Sequence, residues 1–223
     1  MKKITSVLFL FYCFSVGWAQ TVPPCTLEIT DAETFARDWT VIDVNSNVSA
    51  NTWAYNDGNA MYTQDKSNAA DDWLIAPAVT LEAGKAYKVS AYVKHSSTFG
   101  SDKQKIELKI GTAPTVEGLT TRLVYDESFQ SRLFVEKSGT FSPAESGVFY
   151  VGLRCYSGSY MGDLYFQKIV IEEAPVYPVQ ITDLSIVAGE RGAMSATLSW
   201  TWPSSDHLGG ALSNLLGAKI YRG

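Results

Sequence analysis

An all-β fold, a sandwich or jelly roll built from many short strands, is what the sequence predicts, and three observations predict it. Apolar and polar residues alternate along several segments, most plainly at 87–94. There Tyr87, Val89, Ala91 and Val93 share one face and Lys88, Ser90, Tyr92 and Lys94 share the other. Turn-forming stretches separate these segments at short intervals. Beyond the first twenty residues only 31–37 has room for a helical turn, and it is too short to set a class.

The strands follow in order. Residues 25–29 predict a short first strand and 39–44 a second, ending in the polar loop 45–51. Trp53 and Tyr55 precede the turn Asn56-Asp57-Gly58-Asn59, whose Asp-Gly step favours positive φ. Met61-Tyr62 is a brief strand before the loop 64–70. The stretch 71–81 combines an acidic pair, Trp73, two apolar runs and Pro77. It predicts a buried strand that bends at the proline and stands at the centre of the sandwich. After the turn 82–85 come 87–94, the loop 96–102 and 105–110, where charges alternate with aliphatics. A turn-rich connection at 111–118 leads to strands at 119–128, 132–141, 148–156 and 164–171.

Residues 172–178 contain Pro175 and Pro178, which force an extended, stiff linker. Beyond them, 179–186, 195–203 and 218–222 read as three strands of a second β unit, where a sandwich needs about seven. At the other end, Lys2-Lys3, the apolar run 4–16 and Gly17-Trp18-Ala19 read as a signal peptide cleaved after Ala19. The expected organisation is therefore 1–19 signal peptide, 20–173 β domain, 174–178 linker and 179–223 a partial second domain. No later apolar run is long enough for a transmembrane helix. Secretion, or display at the cell surface, follows as an expectation, with further domains of the same polypeptide downstream.

Composition excludes some partners. The 223 residues hold 18 Lys and Arg against 23 Asp and Glu, the opposite of the basic balance that nucleic acid requires. Catalysis has no support either. His95 and His207 fall in different domains and in no metal-binding pattern, and no nucleophile elbow or glycine-rich phosphate loop occurs. The neighbouring acids Asp71 and Asp72, or Asp126 and Glu127, point to opposite faces of a strand and do not converge on one bond. Export leaves Cys25 and Cys155, which suit one disulfide in an oxidising compartment. Cys155 equally suits a buried free thiol, since it shares an apolar face with Phe149, Val151 and Leu153. The two are expected to lie close, as first and last strands of a jelly roll neighbour each other.

Two sets of residues are candidates for binding. Asp43, Asn45 and Asn47 offer oxygens at alternate positions, the spacing that lets a loop fold round a hard cation, with Asp57 and Asp72 as further ligands. The competing reading is a solvated loop of turn formers. Tyr55, Tyr156 and Tyr160 lie in or beside loops rich in Gly, Ser and Asn, where exposed rings and amides suit carbohydrate. Against this, aromatics in β proteins mostly pack, as Trp39, Trp53 and Trp73 are expected to do.

Three stretches carry a family resemblance: Trp39-Thr40-Val41-Ile42-Asp43 with Trp53, then Asp72-Trp73-Leu74-Ile75-Ala76-Pro77, then Tyr150-Val151-Gly152-Leu153-Arg154-Cys155. Residues 39–171 resemble the cleaved-adhesin, or choice-of-anchor J, jelly-roll domains found in the adhesin regions of gingipain-type proteases. Residues 179–222, through Leu198-Ser199-Trp200 and Ile220-Tyr221-Arg222, look like the first strands of a fibronectin type III domain. The resemblance implies a galactose-binding-like jelly roll followed by an incomplete fibronectin type III-like unit, used for adhesion to carbohydrate or to a host or matrix protein, often with structural calcium. The chain departs from the pattern in two places: the loop after the second strand lacks a glycine, and Gln167 and Lys168 stand where paired aspartates are usual. An accessory region of an exported hydrolase or peptidase, or a structural spacer, are the alternative roles.

Overall fold

The computed structural model describes residues 21–45, 51–97, 100–192, 194–207, 209–212, 215 and 217–220. The expected signal peptide and Asn47 lie outside the described residues. Fourteen strands and one helix follow in order: β1 (Cys25–Glu28), α1 (Ala32–Asp38), β2 (Thr40–Asp43), β3 (Trp53–Asn56), β4 (Asn59–Tyr62), β5 (Asp72–Ile75), β6 (Val79–Leu81), β7 (Tyr87–His95), β8 (Gln104–Gly111), β9 (Thr121–Phe129), β10 (Val135–Phe141), β11 (Gly147–Cys155), β12 (Leu164–Glu173), β13 (Ser185–Ala188) and β14 (Ala196–Ser199). The predicted turn at 31–37 is a two-turn helix, because the Asp31 carboxylate accepts the Thr34 N–H at 2.7 Å and caps it.

Two antiparallel sheets of six strands each form a jelly-roll sandwich. The first runs β10-β7-β12-β4-β3 with β1 on β12; the second runs β2-β5-β11-β8-β9 with β6 on β11. Alternation decides what lies between them. Tyr87, Val89, Ala91 and Val93 from β7 meet Phe149, Val151, Leu153 and Cys155 from β11 in one buried cluster. The expected bend at Pro77 is present, and both β5 and β6 pair with β11. The centre of the architecture differs from expectation, however. β5 stands next to the edge strand β2, whereas the long strands β11 and β12 each join three neighbours. Pro77 explains this: lacking an N–H and bending the chain, it splits 72–81 into two short strands that need an unbroken partner.

The expected proximity of Cys25 and Cys155 is overturned, and both are free thiols. β1 does pair with the last strand of the sandwich, Cys25 opposite Ile171. Cys155 lies on β11 in the other sheet, opposite Ile106 and Asp72. The strand predicted at 119–128 begins at Thr121 instead, since Leu119 turns down onto Trp73 and Ile75 on the outer side of the second sheet. Residues 174–220 carry the β13–β14 hairpin outside both large sheets. The predicted strand at 218–222 is not formed among the described residues of that stretch.

Candidate functional site

The outer face of the second sheet carries a continuous array of aromatic and charged side chains. Antiparallel register sets it up: Trp73 on β5 faces Arg154 on β11, Arg154 faces Glu107 on β8, and Glu107 faces Tyr125 on β9. One residue row away, Ile75, Gly152, Lys109 and Arg122 continue the pattern. Cross-strand neighbours on one face stand within side-chain reach, so these residues act as one surface.

Gly152 lets this face close over Trp73. A Cβ at that position would fall on Leu119 Cδ1 and stand 3.1 Å from Trp73 Cε3. Trp73 is thereby buried under the β8–β9 connection, and it serves as the floor of the site. Arg154 sits over that floor, its guanidinium 5.7 Å from the Trp73 ring centre and 5.1 Å from that of Tyr156. Its Nε and Nη2 donate to the two oxygens of Asp71 at 2.7 and 2.9 Å, and Nη1 approaches Glu107 Oε2 at 3.4 Å. These hydrogen bonds hold the Arg154 pKa above its ordinary range, the Asp71 bond contributing most.

Tyr156 stacks on Tyr125, ring centres 6.0 Å apart at 22°. Arg122 in turn lies 4.6 Å from the Tyr125 ring centre and donates from Nε to Glu107 Oε1 at 2.6 Å. The result is a ladder of guanidinium and phenol groups, Arg122, Tyr125, Tyr156 and Arg154, anchored on the buried carboxylate of Glu107. Burial, with the neighbouring Tyr125 hydroxyl, raises the Tyr156 pKa. Tyr125 keeps 49% of its surface open. Such a surface offers rigid apolar rings beside fixed hydrogen-bond donors, which suits a ligand that is apolar on one side and hydroxylated on its rim.

The three tyrosines singled out in the sequence are not brought together. Tyr55 on β3 is half-buried against the core cluster of the first sheet. Tyr156 belongs to the ladder. Tyr160, 60% exposed at φ +60°, marks the tip of the β11–β12 connection, its N–H donating to Asp65 O at 2.7 Å. Among the described residues no ring contact joins any two of them. Tyr125 and Arg122 carry no local signal, since 119–128 reads only as a strand; the fold shows which face they share.

Of the described cation candidates, Asp57 separates from the rest. Asp43 stands directly opposite Asp72 in the β2–β5 register, and the Asn45 side chain donates to Ala69 O at 2.7 Å. Asp57 occupies the β3–β4 turn, four residues from Trp53, whose indole N–H donates to Asp72 O. At 3.3 Å of rise per residue, that places Asp57 roughly 13 Å from this spot. Asp72 is fully buried; Oδ2 accepts the Asp71 N–H at 3.1 Å and Oδ1 has no hydrogen-bond partner. Thr52 Oγ1 is buried and unpartnered too, near Asp72 but out of hydrogen-bonding geometry. Burial pushes the Asp72 carboxyl up to about 6, with Thr52 pulling the other way. Two orphaned buried oxygens beside Asp43 fit a hard oxygen-seeking cation such as calcium.

No family model matches the sequence, and no curated protein does. Among solved structures, the K3 cleaved adhesin domain of Lys-gingipain from Porphyromonas gingivalis is similar over 65% of this chain and 97% of its own, with 11% identity and a TM-score of 0.51. The K1 cleaved adhesin domain of the same protein aligns over 68% of this chain and 99% of its own, with 15% identity and a TM-score of 0.48. A structure described as "CBM4 structure and function" aligns over 67% and 94%, with 15% identity and a TM-score of 0.45. The first of these likenesses shows that the chain shares the jelly-roll fold of a cleaved adhesin domain.

Proposed function

We propose that the sandwich is a non-catalytic glycan-binding module whose site is the outer face of the second sheet. The observation that carries this reading is the stacked pair Tyr125 and Tyr156, locked between Arg122 and Arg154, with the Tyr125 ring half open to solvent. Both rings are fixed before a ligand arrives, so little conformational freedom is lost on binding. Sugar rings place their C–H faces against such aromatics while hydroxyls take the guanidinium donors. The adhesin fold it shares agrees with a binding role.

The wider reading is that residues 1–19 direct export, that the module works at or beyond the cell surface, and that 174–178 link it to a fibronectin type III-like unit beginning at 179. The β13–β14 hairpin, outside both large sheets, supports the last part. Asp72, Asp43 and Asn45, with Thr52, would hold calcium, which would supply a fixed positive charge tying the end of β2 and Thr52 to β5. Its role there is structural, because the orphaned oxygens point into the protein.

Affinity electrophoresis through gels containing xylan, mannan, galactan or laminarin tests the binding. Retardation in at least one gel is expected, lost in Tyr125→Ala and Tyr156→Ala and kept in Tyr160→Ala, with unchanged melting of each variant. Retardation that survives both ladder substitutions would place the ligand elsewhere.

A further inference from the structure

The ladder carries a charge that its own carboxylates do not balance. Arg154 is neutralised by Asp71, and Lys105 Nζ lies 3.9 Å from Glu127 Oε1. Arg122 and Lys109, opposite each other in the β8–β9 register, share Glu107 Oε1 at 2.6 and 3.7 Å, while Arg154 Nη1 reaches its Oε2 at 3.4 Å. The Glu107 side chain is only 2% exposed, whereas that of Arg122 is 57% exposed. Two cations against one buried carboxylate leave a positive charge at the surface, on a chain whose formal net charge is −5. Glu117, on the connection above β8, forms no ion pair with either cation among the described residues.

The Arg122 guanidinium is also aimed. Glu107 holds Nε, and the Tyr125 ring supports the group from one side. Nη1 and Nη2 have no partner among the described residues. That free edge is a two-donor fork, the shape that matches two oxygens of a carboxylate or sulfate. A guanidinium donates and never accepts, so a neutral hydroxyl, which alternates both roles, gains less from it than an oxyanion does.

We infer that this face selects saccharides bearing an oxyanion, a uronic acid or a sulfated sugar. Arg122 and Lys109 take the anionic group while Tyr125 and Tyr156 take the sugar ring. The inference rests on the glycan-binding reading and narrows it to one ligand class. It also assigns the unusual burial of Glu107 a purpose: the carboxylate orients Arg122 without competing at the surface for its free edge.

The test uses the full chain in two matched pairs of gels, polygalacturonate against its methyl-esterified form and dextran sulfate against dextran. Retardation is expected to be about tenfold stronger in one charged gel than in its neutral partner, and to fall steeply with added salt. Which charged polymer binds tells uronate from sulfate. Arg122→Gln should lose about tenfold in that gel at unchanged melting temperature, and Arg122→Lys should recover only part, since an ammonium lacks the fork. Equal retardation by charged and neutral partners, or binding indifferent to Arg122→Gln yet abolished by Tyr125→Ala, overturns the anion preference and leaves the glycan reading standing. No retardation in these gels or in the neutral panel overturns both.

Discussion

Arg154 closes a two-point hydrogen bond on Asp71, 83 positions away in the sequence, with Nε to Oδ1 at 2.7 Å and Nη2 to Oδ2 at 2.9 Å. The pair ties the segment entering β5 to β11 and holds the guanidinium 5.1 Å from the Tyr156 ring centre. Removing one partner of a partly buried pair leaves the other uncompensated. Arg154→Ala is expected to lower stability by about 1–3 kcal/mol and to weaken ligand binding further by freeing Tyr156. Arg154→Lys should rescue neither, because an ammonium cannot make both bonds. Chemical denaturation of the two variants checks this; a lysine variant as stable as the parent would contradict it.

Gly152 tests the floor of the site. A methyl group there meets the end of the Leu119 side chain and the Trp73 ring. The Leu119 methyl is the end of a flexible side chain and the Trp73 ring is rigid, and both are buried, so Gly152→Ala should cost about 1–3 kcal/mol and lift the β8–β9 connection. Trp73 fluorescence should shift to longer wavelength as water reaches the ring. An unchanged spectrum at unchanged stability would show that the connection does not cover Trp73 as described.

Burial of Asp72 gives the sandwich a pH dependence whose sign can be worked out. Its folded value of about 6 lies above the ordinary 3.8, so the folded state holds this proton more tightly than the unfolded one. Its contribution is therefore most favourable below about pH 4 and is lost as pH rises through about 6. The full change is about 3 kcal/mol, from roughly two pKa units at 1.36 kcal/mol each. In calcium-free buffer Asp72→Asn should remove that slope from the difference between parent and variant, and should raise the melting temperature at pH 7. With calcium the parent should gain stability at pH 7 and the variant should not. A parent that gains stability relative to the variant between pH 4 and 6 without metal would contradict the assignment.

The two thiols should differ in reactivity. Burial pushes the Cys155 thiol up to about 12, and its Sγ lies 3.4 Å from Gln104 Oε1 inside the sandwich. Cys25 is half-exposed on β1, and burial raises it as well. For a chain beginning after residue 19, a thiol reagent at pH 8 should modify one cysteine in the native state and both after unfolding. Equal rates in the native state would place Cys155 nearer the surface than it is here.

Much of this fold was legible in the sequence. Alternation at 87–94 and on the Phe149, Val151, Leu153, Cys155 face named the core, because a strand side chain has only two directions and one of them is wet. What could not be read was which strands pair. Nothing local in Pro77 says that β5 and β6 share β11, and nothing in Cys25 and Cys155 says that they belong to different sheets. The site shows the same division. Tyr156 stood out beside its glycine-rich loop, but Tyr125, Arg122 and Glu107 became a site only through the β8–β9–β11 register. Tyr55 and Tyr160 had the same local signature as Tyr156 and lie on other parts of the sandwich.

The glycan site stands or falls with the Tyr125 and Tyr156 ladder. The deciding measurement is the affinity of the double variant Tyr125→Ala, Tyr156→Ala for whichever polysaccharide retards the parent chain, by titration calorimetry at fixed salt. A loss of tenfold or more, about 1.4 kcal/mol or greater, is expected, with the melting temperature held within a few degrees. An affinity equal to that of the parent, in a variant that remains folded, would contradict it.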